Sequence, residues 1–144
     1  MYNRIRGDYM RITQETDYAF RITSFLAKHE NEIIGAPVIA EKCNVTERFT
    51  LRILRKLNLA GITFAKRGAK GGYGLNKPKE QVTLYDIIVA IDGPIIINRC
   101  LCEDNYCNRN NKEGVAKCPF HIKLAYIQGS IIKMFKSETI SNFI

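Results

Sequence analysis

The chain has 144 residues, 46% of them hydrophobic and 25% charged, with a formal net charge of +8 and a pI near 9.4. This length suits one domain, or a small domain with an appendage, and the composition excludes a disordered chain. The positive balance favours a polyanionic partner, nucleic acid first. No apolar run approaches the roughly 20 residues that span a bilayer; the best candidate, Ile87 to Ile97, is broken by Asp92-Gly93-Pro94. Met1 to Met10 lacks the apolar centre of a signal peptide. A cytoplasmic protein with no membrane partner is the expectation. Five cysteines, an odd number, in a reducing compartment argue against a disulfide scaffold.

Met1 to Tyr9 has no periodicity and reads as a loose extension. From Thr13 a helix is predicted, with Tyr18, Ile22 and Phe25 on one face and Ala19 and Leu26 beside them. A short helix follows over Pro37–Cys43, with Pro37 at its first position. Asn44 suits a tight left-handed turn. Thr46 caps a second helix running to about Leu57, with Phe49, Ile53, Leu54 and Leu57 inward. Its other faces carry Arg48, Thr50, Arg52, Arg55 and Lys56, the layout of a helix-turn-helix with a basic reading face. Ile62–Lys66 and Tyr73–Leu75 form a hairpin around Arg67-Gly68-Ala69-Lys70-Gly71-Gly72, a wing with cations at its tip.

Thr83 and Asp86 start a short apolar helix that Asp92-Gly93-Pro94 stops. Then comes Cys100-Leu101-Cys102-Glu103-Asp104-Asn105-Tyr106-Cys107, a ten-residue polar stretch, and Cys118-Pro119-Phe120-His121. Four of the five cysteines and one of the two histidines gather here. Thiolate and imidazole suit zinc or an iron–sulfur cluster. Cys102, Cys107, Cys118 and His121 satisfy a tetrahedral zinc site by count, and Cys100 with Cys102 or Cys107 forms a thiol switch without metal. Cys118 and His121, three apart at a helix start, project to one side of the first turn. Cys43 reads as a core residue. The last helix repeats Phe120, Leu124, Ile127, Ile131 and Met134 in a heptad-like seam, with a second apolar side. One side packs on its own chain; the other meets a second copy, giving a homodimer.

These motifs resemble the Rrf-two family of bacterial winged-helix regulators, which includes the iron–sulfur cluster regulator and the nitric-oxide-sensitive repressor. The matching stretches are Met10-Arg11-Ile12-Thr13, Thr16-Asp17-Tyr18-Ala19, Ile53-Leu54-Arg55-Lys56-Leu57, Arg67-Gly68 with Gly71-Gly72-Tyr73, and Asp92-Gly93-Pro94. The resemblance implies a mainly α fold with a β-hairpin wing: a winged helix-turn-helix over 10–82, then a short helix, cluster loop and dimerisation helix over 83–144. It implies a homodimeric repressor on operator DNA, controlled by an iron–sulfur cluster, 2Fe–2S ahead of 4Fe–4S. Its three cysteine ligands match Cys100, Cys107 and Cys118. The fourth ligand is His121, or Asp17 as in some nitric-oxide-sensitive relatives.

Thr46, Arg48, Thr50 and Arg52 would meet bases and phosphates in the major groove, and Arg67, Gly68, Lys70, Gly71 and Gly72 the minor groove or backbone. A cluster-free regulator acting through a protein partner is the alternative, beside structural zinc or a thiol switch. An enzyme is not expected: there are only two histidines, and no nucleophile–base pair stands out.

Overall fold

The computed structural model describes residues 11–109 and 114–144. The expected extension Met1–Tyr9, and residues 110–113 of the cysteine loop, lie outside the described residues. Helix α1 spans Gln14–Lys28, and the Thr13 side chain caps it by accepting the Thr16 N–H. Ala19, Ile22 and Leu26 on its inner face are fully buried. Helix α2 is Ala36–Cys43, starting one residue before the expected Pro37, which still falls in the first turn where its missing N–H costs nothing. Asn44 adopts φ 54° and turns the chain into α3.

Helix α3 is Glu47–Leu59, capped by Thr46, whose hydroxyl accepts the Phe49 N–H at 3.4 Å. Its buried stripe is Thr50, Ile53, Leu54 and Leu57. Two expectations change here. Phe49 was placed inward but is 42% exposed, with its ring edge-on to Tyr18. Thr50 was placed on the reading face but is fully buried. The reason is phase: residues 50, 53, 54 and 57 already fill a stripe about 100° wide, and position 49 falls at its margin.

The wing consists of β1, Thr63–Lys66, and β2, Gly72–Leu75, antiparallel with Phe64 opposite Gly74 and Lys66 opposite Gly72. The outer edge of β2 is held as well: Ile34 and Tyr73 exchange backbone hydrogen bonds of 3.0 and 2.8 Å. That approach explains Gly72, where a Cβ would stand 2.5 Å from the Ile34 carbonyl oxygen.

Helix α4, Leu84–Asp92, starts at Thr83 and Asp86 as expected, the two forming a reciprocal capping box, and ends at Gly93, φ 85°. Helix α5, Pro119–Ser137, has no buried residue. On one side Gln128 accepts the Ile97 N–H at 3.0 Å, and Ile131 and Phe135 line an apolar groove with Ile88 and Ile95–Ile97. The other side bares Phe120 (64%), Tyr126 (75%) and Met134 (64%). The expected seam is therefore split: Phe120, Ile127 and Met134 are exposed, whereas Leu124 and Ile131 are half-buried. Among the described residues, no helix is long and apolar enough to cross a membrane.

After α5 the chain returns to the winged half. The Ile140 N–H donates to the Val82 carbonyl at 2.8 Å, and the side chain is 1% exposed in the core formed by α1–α4. Nothing in the sequence pattern had assigned this tail a role. Ile140→Ala is expected to lower unfolding free energy by about 2–5 kcal/mol in urea titration, whereas Leu59→Ala, at an exposed site, changes it by less than about 0.5 kcal/mol. Equal losses would contradict this placement of the core.

Candidate metal centre and nucleic-acid interface

The cysteine segment is built from short turns. The Asn98 side chain accepts the Arg99 N–H at 2.8 Å and caps the turn Arg99–Leu101, which carries Cys100. Arg99 forks onto Asp104 at 2.5 and 2.6 Å and lies over the Tyr106 ring. The guanidinium holds the Asp104 carboxyl at about 2, well below the usual carboxylate range. Gly114, φ 75°, leads into the turn Val115–Lys117, which delivers Cys118 to the position before α5.

These turns bring Cys100, Cys107, Cys118 and His121 to the wall of one open cavity of about 330 Å³. Cys102 does not line it. The Cys118 thiol has a lowered pKa, first through the backbone N–H of His121, opposed by desolvation, then through the Phe120 N–H and the Arg109 guanidinium. His121 Nδ1 is buried and has no hydrogen-bond partner among the described residues. Such a nitrogen is costly to leave unsatisfied, and a metal bond satisfies it. Among the described residues, no three histidine, cysteine or carboxylate side chains converge closely enough to hold a single ion. Thiolates and an imidazole gathered on the wall of one cavity are donors that suit either an iron–sulfur cluster or zinc. Asp17 does not join them. It is exposed on α1 and ion-paired with Arg21 at 2.6 Å.

The candidate reading surface is the exposed side of α3 with the wing tip. Arg48 and Arg55 are exposed and without an ion-pair partner among the described residues. Arg67, Gly68 and Lys70 are exposed at the wing tip, where Gly68 takes φ 109° and its carbonyl accepts the Gly71 N–H. Gly71 and Gly72 are half-buried, and at both a Cβ would collide with backbone: that of the hairpin turn at Gly71, and that of Ile34 and Gly35 at Gly72. Thr46 spends its hydroxyl on the helix cap, and buried Thr50 cannot reach a groove.

Arg52 is exposed but braced. Glu15 of α1 accepts its Nε–H at 3.0 Å and an N–H of its second terminal nitrogen at 2.9 Å, and also receives Lys56 Nζ at 3.0 Å. Desolvation pushes the Glu15 pKa up, but the bonds from Lys56 and Arg52 bring it below its ordinary value. Lys56 reaches on to the Ile91 carbonyl at 3.2 Å. Sequence reasoning missed Glu15 and the bridging position of Lys56. The brace joins residues 37 apart, and no local pattern signals it.

The Rrf2 family, described as iron-dependent transcriptional regulators, matches residues 12–144. The chain belongs to the Rrf2 family. Protein aau3 of Rhizobium meliloti is 32% identical to it over 91 residues, which span 63% of this chain and 59% of that protein. The HTH-type transcriptional regulator NsrR of Bacillus licheniformis is 28% identical over 68% of this chain and 70% of its own. The structure of CymR, the global cysteine regulator of B. subtilis, superposes with a TM-score of 0.72 at 24% identity, covering 94% of this chain and 96% of that one, and so shares the fold. This Rrf2-family chain is thus a transcriptional regulator with a winged-helix architecture.

In this regulator Cys43 stands apart from the loop thiols: it is buried at 7% exposure, and desolvation pushes its thiol pKa up. Brief treatment of the metal-free protein with iodoacetamide at neutral pH is expected to label exposed Cys107 and spare Cys43 until denaturant is added, as read by peptide mass spectrometry. Equal labelling of the two in the folded protein would contradict the assignment of Cys43 to the core.

Proposed function

We propose that this Rrf2-family regulator is a cytoplasmic homodimeric repressor whose grip on operator DNA follows the state of an iron–sulfur cluster held by Cys100, Cys107, Cys118 and His121. The carrying observation is the single cavity lined by all four of these side chains, with an unpartnered His121 nitrogen. When bound, the cluster supplies iron whose retention depends on redox conditions and iron supply. The protein's part is mechanical. Cys100 follows the stem leaving α4, and Cys118 precedes α5. Tethering both to one group fixes the angle between α5 and the winged half.

The exposed apolar side of α5 supports pairing of two copies, since a patch holding Phe120, Tyr126, Ile127 and Met134 is costly in water. In a symmetric pair, the setting of α5 determines the separation of the two α3 helices, and hence the half-site spacing that they match. Arg48, Arg55, Arg67 and Lys70 supply phosphate contacts.

Anaerobically purified full-length protein is expected to be brown and to contain iron and acid-labile sulfide, and Cys107→Ala to retain little of either. Colourless, iron-free wild type after the same handling would overturn the cluster and favour a thiol switch or a protein partner acting through the same fold.

A further inference from the structure

The cations of the reading surface fall into two classes. Arg48 and Arg55 on α3, and Arg67 and Lys70 on the wing, are exposed and unbraced among the described residues. Long exposed cations of this kind suit phosphates, which demand charge more than orientation. Arg52 differs. Its side chain is 59% exposed, yet its guanidinium is fixed by a carboxylate that is itself only 14% exposed. The Phe49 ring lies 5.7 Å from its central carbon and limits it on another side.

The bonding pattern of the brace matters. Glu15 takes the Nε–H and one N–H of the second terminal nitrogen, which together form one edge of the planar group. The edge formed by the two terminal nitrogens keeps two parallel N–H donors. Two parallel donors match O6 and N7 of guanine in the major groove, a pairing that no other base offers. The brace also removes much of the rotamer entropy that a free arginine loses on contact. A carboxylate near DNA ordinarily repels phosphate, but Lys56 at 3.0 Å offsets the Glu15 charge.

Building on the DNA-reading function proposed above, we infer that Arg52 is a specificity-determining residue that reads a guanine in the major groove, and that Glu15 is the positioning residue that aims it.

The test uses the full-length protein and a duplex selected by the wild type from a random-sequence library. The selected site contains one strongly required guanine per half-site. Replacing it with 7-deazaguanine, which lacks the N7 acceptor, weakens wild-type binding about tenfold and leaves Arg52→Ala binding unchanged. Glu15→Gln keeps its affinity for random-sequence duplex but loses most of the discrimination between guanine and adenine at that position. Thermal melting checks that both variants fold, and the 7-deazaguanine arm with wild type depends on neither. A selected site with no guanine dependence overturns the inference, as does Arg52→Ala discriminating like the wild type. Glu15→Gln with undiminished discrimination overturns the role of Glu15. If wild type shows no salt-sensitive binding to any duplex, the DNA-reading function falls, and this inference with it.

Discussion

Asp92 places a carboxylate at the C-terminal end of α4, where the helix's own carbonyl dipoles disfavour it. Another helix accommodates it. At the N-terminus of α1 the Thr13 hydroxyl donates to this carboxylate at 2.9 Å and the Thr16 hydroxyl at 2.6 Å, at the end of a helix that favours negative charge. Beside it, Lys56 of α3 donates to the Ile91 carbonyl. The last turn of α4 is therefore held by both α1 and α3. Immediately after it, Gly93 redirects the chain toward the cysteine segment.

The same few residues serve both the exposed side of α3 and the end of α4. Lys56 touches Glu15, which braces Arg52, and also the end of α4, from which the stem of the cysteine loop departs. In the proposed account, a change in how the loop is tethered alters the pull on α4 and reaches Lys56 directly. The C-terminal tail supplies the opposing anchor: Ile140 sits in the winged half's core, so α5 is fixed there while its other end begins at Cys118. In the proposed account, a helix tied at one end would be tethered through a metal group at the other, which would convert local chemistry into orientation.

The sequence signals that proved legible were local ones. Thr46 and Thr83 each cap the helix expected of them, Asn44 turns left-handed, and Gly93 ends α4, because these effects act within one turn of chain. The wing was readable from glycines between two short β-prone runs. Cys100, Cys107, Cys118 and His121, the candidate ligands implied by the resemblance, line one cavity. Phe49 and Thr50 were exchanged because helical spacing gives a stripe but not its phase, and a small threonine can occupy a buried position that an aromatic cannot. The clamp on Asp92, the brace on Arg52 and the return of Ile140 to the core were invisible, since each joins residues far apart in the chain.

The central claim is that the metal state of the loop sets the grip on DNA. It is tested most directly by the ratio of operator affinities between anaerobically loaded and metal-free full-length protein, measured on one selected duplex at fixed salt. The account predicts a difference of at least about fivefold, the lower end of ordinary allosteric coupling. Equal affinities for the loaded and metal-free forms would contradict it.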